Sequence, residues 1–206
     1  MLAVFDLSLH QVLIRAGACI IIISIHGLVL AAIARGLGDR GPQFDGRLTV
    51  NPLRHVDPLG AAAMMLFQLG WIRPIAIDPF ELRLGRFGLV ICVFGSIAAT
   101  LAAVVLLLGL RIPALKFMPL AFVPTIIATL NEAADMSTWF AALNVLPLPP
   151  LTGMHLLVAV SPGLATTLKK YSPYSAIALA VLLAVGVVHP VLQPVRDALV
   201  HVTSVL

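Results

Sequence analysis

Long apolar runs separated by short polar segments dominate the chain. A membrane-spanning helix needs about 20 mostly apolar residues, and four runs reach that length: 11–34, 87–110, 117–147 and 174–192. A shorter apolar run, 59–72, lies between Pro58 and Pro74 and has the length of a re-entrant or interfacial element. The pattern predicts an all-α polytopic integral membrane protein with about four spans, forming a single membrane domain over 1–206.

The run 117–147 is unusual because it contains Asn131, Glu132 and Asp135 near its middle. Two interpretations remain open: one long helix that is broken or tilted, or two short helices joined by an acidic turn. An additional crossing would spoil the distribution of basic residues between the two sides of the membrane, which favours one broken or tilted element. We expect the two acidic residues to mark a water-exposed break.

Composition supports a membrane environment and argues against nucleic-acid binding. The chain is 60% hydrophobic and 11% charged, whereas a soluble domain has about 25% charged residues. The net charge of +4 comes from basic residues in short loops, which set membrane topology. Most of them lie in 35–86 and 161–173, so the positive-inside rule predicts that these segments face the cytoplasm and that both termini face outside. The lipid bilayer is the expected surrounding, and no nucleic-acid partner is expected.

Three ordered motifs punctuate the polar segments. The first runs from Asn51 to Gly60 and the second from Gly70 to Pro79; the third follows the run 117–147. The motif positions of the first and third are Asn51, Pro52, His55, Asp57 and Pro58, then Asn144, Pro147, Pro149, Pro150 and Gly153. Together they resemble the compact bacterial branch of the site-2 protease family of intramembrane zinc metalloproteases (peptidase M50). The resemblance covers roughly 20–155 and implies a helical core, a proline-rich loop near the active site and a bacterial inner (cytoplasmic) membrane.

Zinc proteolysis requires residues that the chain does not have at the matching positions. Two histidines one helical turn apart would bind the ion, and an adjacent Glu would be the general base; the family supplies these as His-Glu-x-x-His. A gapless match places His26 at the first ligand, Gly27 at the base and Leu30 at the second ligand. A shifted match makes His26 the second ligand and leaves Ile22 and Ile23 in place of the first His and the Glu. In both cases one histidine remains and the Glu is absent.

The remaining family positions are also altered. Thr152 stands where the family has the Asp that completes the zinc site, and a neutral hydroxyl is a poor substitute for a carboxylate. The family's Gly-Pro-x-x-Asn element corresponds to Gly95–Ala99, which has neither Pro nor Asn. We therefore predict no catalytic residue and no metal ligand set of the family type.

Other histidines offer a different site. His155 follows Thr152 by three residues, so the two share a face if the segment is helical. His26 and His155, with Thr152 or His55, are candidates for a polar cavity or a relocated ligand set, since intramembrane histidines are functional candidates by default. The alternative is that His26 donates a hydrogen bond to a backbone carbonyl and His155 lies at the cytoplasmic interface. His55 and Asp57 are expected to stabilise a loop rather than to perform chemistry.

Three functional hypotheses follow. The residues favour a catalytically inactive homologue, a pseudoprotease, that serves as a membrane-embedded binding or accessory subunit for a membrane-protein partner or a larger membrane complex. One alternative is an intramembrane zinc metalloendopeptidase with relocated ligands. The other is an accessory subunit of a respiratory or photosynthetic complex. No cofactor is expected under the first hypothesis, and zinc is expected under the second.

Overall fold

The computed structural model describes residues 8–205 and is all-helical over that range. A short 3-10 helix covers Pro52–Arg54, and residues 8–205 contain no β-strand, only an isolated antiparallel bridge between Val56 and Ile72. The α-helices are α1 (Leu9–Leu37), α2 (Gly41–Phe44), α3 (Pro58–Phe67), α4 (Arg86–Gly109), α5 (Arg111–Phe117), α6 (Val123–Asn144), α7 (Met154–Val160), α8 (Pro162–Lys170), α9 (Ser172–Val185) and α10 (Val188–Val205).

Two helices of the described chain are long and apolar enough to cross a membrane. They are α1 and the segment Arg86–Phe117, in which α4 continues into α5. The pair α8–α9 gives a third candidate if the two helices are taken as one span, although they are bent by 77°. Length and composition therefore support a membrane protein, whereas the expected number of about four spans is not confirmed. The re-entrant placement of 59–72 is not confirmed either; most of that segment forms α3.

The run 117–147 forms one unbroken helix, α6, after a turn at its start. The expected break at the acidic residues is wrong, because arginines from other helices satisfy both carboxylates. Arg15 of α1 donates to Glu132 at 3.0 Å, and Gln68 donates to the same oxygen at 2.8 Å. Arg196 of α10 pairs with Asp135. A charge that is paired within the protein does not have to interrupt a helix to reach water.

The predicted final span 174–192, in contrast, is interrupted. Helix α9 ends at Val185, and Gly186 adopts a left-handed conformation with φ +81°. Because glycine has no Cβ, it takes this conformation at little cost and terminates helices. The chain then enters α10, with Pro194 inside the helix. At 14 residues, α9 alone extends only about 21 Å, less than the bilayer core.

The core lies where α1, α4 and α6 pack together. Ile22 and Ile23 of α1 are both buried although they are adjacent, because neighbours surround this part of the helix. They pack with Leu89 of α4 and Phe140 of α6. The two cysteines, Cys19 and Cys92, are buried free thiols in this core. The middle of α1, which carries His26, is therefore held rigidly between two other helices.

Candidate functional site

The proline-rich loop that follows α6 is held in place by Asn144. Its fully buried side-chain amide donates to the carbonyl oxygens of Gly70 and Phe140, each at 3.0 Å, and its Oδ1 accepts from the Thr152 N–H at 3.3 Å. The backbone carbonyl of Asn144 also accepts from the Gly153 N–H at 2.8 Å. One side chain thus joins α6, the extended segment at Gly70 and the end of the loop.

The end of the proline-rich loop requires a glycine at position 153. A Cβ at this position would lie 2.3 Å from the Leu146 carbonyl oxygen and 2.5 Å from that of Val145. Both are backbone atoms, so no side-chain movement could relieve the clash. The loop therefore returns to Thr152 with a fixed path. Pro149 and Pro150, which are joined by a cis peptide bond, lie on the wall of the adjoining cavity.

Thr152 faces His26 in the buried interior of the protein. His26 Nε2 lies 3.0 Å from the Thr152 hydroxyl, and Nδ1 lies 2.9 Å from the hydroxyl of Thr100 on α4. The ring also makes an edge contact with Phe140, with centroids 4.8 Å apart. His26 is completely buried. Both ring nitrogens thus lie at hydrogen-bonding distance from hydroxyls.

The hydrogen bond of Thr100 is consistent with one tautomer of His26. If the Thr100 hydroxyl donates its proton to the Ser96 carbonyl oxygen at 2.8 Å, it accepts from His26 Nδ1–H. In that tautomer Nε2 carries the lone pair and accepts the proton of the Thr152 hydroxyl. In a neutral imidazole only the unprotonated nitrogen can bind a metal. In either tautomer, both ring nitrogens lie against hydroxyls, and one of these belongs to Thr152, the residue at the position of the family's Asp ligand.

Gly27, at the position of the family's general base in the gapless match, packs against His55. A Cβ on Gly27 would lie 2.3 Å from His55 Nδ1 and 2.4 Å from Cγ. The imidazole therefore occupies the space into which a side chain at position 27 would extend. Leu30, at the second ligand position, is buried and lines the cavity beside Thr152.

His55 is held by the loop that carries it. Its Nε2 donates to the Thr49 carbonyl oxygen at 2.9 Å, whereas Nδ1 is buried and has no hydrogen-bond partner within 8–205. Burial lowers the pKa of His55, and the hydrogen bond to Thr49 opposes that shift. The ring is therefore a neutral group whose unpaired nitrogen faces the Gly27 backbone.

The other residues of the first motif terminate helices. Asn51 accepts from the Leu53 N–H at 3.0 Å and caps the 3-10 helix, and Asp57 accepts from the Gly60 N–H at 2.8 Å and caps α3. Pro52 and Pro58 are the first residues of these helices, where a missing N–H costs nothing. These contacts agree with the loop-stabilising role expected for this motif.

A mostly apolar cavity of about 330 Å³ opens beside Thr152. Its walls are the extended segment 72–76, the proline-rich loop, and the facing parts of α7, α8 and α9; they include Leu30, Ile75, Pro149, Pro150, Thr152, His155, Lys169 and Ser172. His155 is buried in this wall, and its Nδ1 has no hydrogen-bond partner in the described chain. Burial lowers the pKa of His155 to about 4, and the charge of Lys169 adds to the effect.

The donor set does not fit zinc. A structural or catalytic zinc site uses three or more His, Cys, Asp or Glu ligands, and residues 8–205 contain no such group. Around His26 the polar neighbours are two threonine hydroxyls. Of the predicted candidates, the structure joins His26 with Thr152 directly, places His155 with Thr152 on the cavity wall, and packs His55 on Gly27 instead of against His26.

Sequence reasoning missed Thr100, which fixes the orientation of His26. The residue lies directly after the altered element Gly95–Ala99, and Ser96 and Thr100 are four apart on an otherwise apolar helix. Two hydroxyls on one helical face were the available signal for a buried polar partner. Lys169 was recognised only as a topology signal, although it also lines the cavity.

The fold and site together define an all-helical membrane protein built around a buried histidine and a proline-rich loop. The chain is 28% identical over 201 residues to a protein of Bacillus subtilis (strain 168) named "Putative zinc metalloprotease YwhC". The alignment covers 91% of this chain and 89% of that protein. This similarity over nearly the full length confirms the resemblance to the site-2 protease family. No protein-family profile and no solved structure matches the chain.

Proposed function

We propose that this protein is a non-catalytic homologue of the intramembrane zinc metalloproteases that binds an extended segment of a partner membrane protein. The observation that carries the proposal is the surroundings of His26: both ring nitrogens lie at hydrogen-bonding distance from neutral hydroxyls, those of Thr100 and Thr152. No carboxylate lies at the position of the general base, where Gly27 is covered by His55. A binding role needs neither a metal nor a base.

The cavity supports the kind of partner proposed. One wall is the extended segment 72–76, whose bridge at Ile72 pairs it only with Val56 within the described chain. Extended backbone without a strand partner is suited to pair with another extended segment. Pro149 and Pro150 also line the cavity. Because prolines have no backbone N–H, they cannot donate to the carbonyls of the segment 72–76 in place of a bound segment. Apolar side chains would supply most of the contact area.

Metal analysis of the purified full-length protein tests the absence of catalysis. We expect zinc well below one ion per chain after purification in zinc-supplemented buffer, and the same content in His26→Ala. One zinc per chain, together with cleavage of membrane substrates that a chelator abolishes, would refute the proposal.

Photo-crosslinking tests the binding role. A benzophenone amino acid at Ala76, on the cavity wall, is expected to link to a partner membrane protein in native membranes. The same group at Ala98, an exposed position of α4 outside the cavity, is the matched control. Ser172→Trp should narrow the cavity and remove the Ala76 crosslink only. Equal crosslinking from both positions would contradict a cavity-specific partner.

A second candidate is a zinc metalloendopeptidase with relocated ligands, which the name of the Bacillus subtilis relative favours. His26 and His155 would be its ligands, and Thr152 would have to release the His26 lone pair. Under this alternative, replacing both histidines by Ala abolishes zinc binding and cleavage together. Membership of a respiratory or photosynthetic complex is a further proposal; co-purification in mild detergent with the subunits of such a complex tests it.

A further inference from the structure

A second cavity, separate from the one beside Thr152, lies in the segment between α2 and α4. It has a volume of about 270 Å³ and is lined by Asp45, Arg47, Arg54 and Arg73. None of these residues lines the first cavity, and the proposed function does not involve them, although Arg54 and Arg73 lie within the first and second motifs. Its lining is almost entirely polar, which distinguishes it from the apolar cavity beside Thr152.

Arg47 builds the floor of this pocket. The side chain is 8% exposed, and its guanidinium donates to the carbonyl oxygens of Arg54 and Pro74. These bonds join two distant turns and hold the cation in place. A charged side chain that is nine-tenths buried and fixed by backbone contacts is a built feature rather than a solvated surface charge.

The pocket has an excess of positive charge. Three guanidinium groups face one carboxylate, and within 8–205 none of the three lies within 4 Å of an acidic oxygen. Burial lowers the pKa of Arg47, and the charges of Arg73 and Arg54 add to the effect, whereas Asp45 opposes it. An anion placed among these groups would relieve their mutual repulsion and accept hydrogen bonds from their planar donors.

Three exposed apolar side chains close in sequence to the pocket residues indicate where that anion comes from. Phe44, Val50 and Leu53 are 80%, 70% and 75% exposed and lie within four residues of a pocket arginine or aspartate along the chain; we name them the apolar rim. Exposed apolar side chains close in sequence to a cluster of arginines match a membrane interface, with hydrocarbon next to anionic headgroups. A soluble phosphate would gain nothing from the apolar rim. Asp45 can accept a hydrogen bond from a hydroxyl of the headgroup.

We infer that Arg47, Arg54 and Arg73 bind the phosphate of an anionic phospholipid with a hydroxylated headgroup, of the phosphatidylglycerol type. The apolar rim contacts the adjoining acyl chains, so the pocket anchors this segment to one membrane surface.

Native mass spectrometry of the full-length protein in detergent tests the inference. We expect short-chain phosphatidylglycerol to bind in preference to phosphatidylcholine. Arg54→Gln/Arg73→Gln should weaken phosphatidylglycerol binding by about tenfold or more, because each arginine near an anionic surface contributes separately. Arg40→Gln/Arg86→Gln removes the same charge from exposed positions of this part of the chain outside the pocket and should change binding less than about threefold.

Each other outcome overturns the inference. Equal losses in the two double variants would mean that general surface charge, not the pocket, attracts the lipid. Inorganic phosphate that binds as tightly as phosphatidylglycerol, or displaces it, would assign the pocket to a soluble phosphorylated ligand. Since Arg54 and Arg73 are exposed and Arg47 is retained, the variant should unfold at the wild-type temperature in phosphatidylcholine micelles. If it does not, the single Arg73→Gln variant provides the same comparison.

Discussion

The loops that carry the motifs and the helix that carries His26 differ in how closely they match the family that the chain resembles. In the loops, the side chains of Asn51, Asp57 and Asn144 form hydrogen bonds with backbone groups. In the helix, Gly27 and Leu30 carry no polar side chain, and His26 lies against hydroxyls. The match is therefore good where side chains stabilise the backbone. It is poor where the family would bind and activate a metal.

Replacing Asn144 by Ala is expected to have the largest effect on this comparison. It leaves the Gly70 carbonyl and the Thr152 N–H without this partner in a buried place, which should cost about 3 kcal/mol of unfolding free energy. Asn51→Ala is the control, because that exposed cap holds only the Leu53 N–H and should cost about 1 kcal/mol. Equilibrium unfolding in mixed micelles measures both. Equal losses of unfolding free energy in Asn144→Ala and Asn51→Ala would show that burial does not make one motif loop more important for stability than the other.

Gly27→Ala is expected to have the second largest effect, a loss of about 2 kcal/mol of unfolding free energy. The added methyl overlaps the His55 ring in a packed core. Gly36→Ala in the same helix is the matched control: nothing lies within 4 Å of its Cβ, so it should be neutral or slightly stabilising. Combined with His55→Ala, the Gly27→Ala change should cost less than the sum of the single changes. Additive losses would contradict a direct contact between position 27 and His55.

Acid should destabilise the protein through His155. Burial keeps this group neutral, with a pKa of about 4 against 6.5 for the unfolded chain. The unfolded state therefore takes up the proton first, and stability present above pH 6.5 is lost as the pH falls towards 4. Between pH 7 and 5.5 the loss should be about 1 kcal/mol. His155→Gln should flatten the curve of unfolding free energy against pH, whereas Thr152→Val should keep its slope. An unchanged slope in His155→Gln would exclude His155 as the source.

Thr152→Val should have the smallest effect. It retains the shape of the side chain and removes the hydroxyl partner of the buried His26 Nε2, at a cost of about 1 kcal/mol. Thr166→Val, which removes an exposed hydroxyl of α8, is the control and should lie within about 0.5 kcal/mol of wild type. A nitrogen NMR shift of His26 that does not move in Thr152→Val would show that the ring is bonded elsewhere.

The sequence was sufficient for those parts of the fold that depend on local pattern. The helices α1 and α4 lie within a few residues of the predicted 11–34 and 87–110, since apolar length and terminal glycines fix them. The caps at Asn51 and Asp57 likewise follow from their own residues.

The parts that failed depend on partners distant in the chain. Glu132 and Asp135 led to the prediction of a break because the sequence does not show their partners. The arginines that pair with them lie 117 and 61 residues away along the chain. The contact of His55 with Gly27 and that of His26 with Thr100 also join separate elements. Hydrophobic periodicity contains no information on such pairs, and the interruption at Gly186 within an apolar run required knowledge of its backbone angle.

The two ion pairs on α6 also constrain the order in which the protein can mature. The ribosome delivers Arg15 long before Glu132, and Asp135 before Arg196. Because its side chain is long, Arg15 near the start of α1 can extend to the membrane interface before Glu132 has been synthesised. Asp135 can pair with Arg196 only after α10 has been synthesised. A chain released before α10 therefore has an unneutralised carboxylate in the helix that packs against His26. The Asp135–Arg196 pair can therefore form only after α10 has been synthesised, later than the Arg15–Glu132 pair.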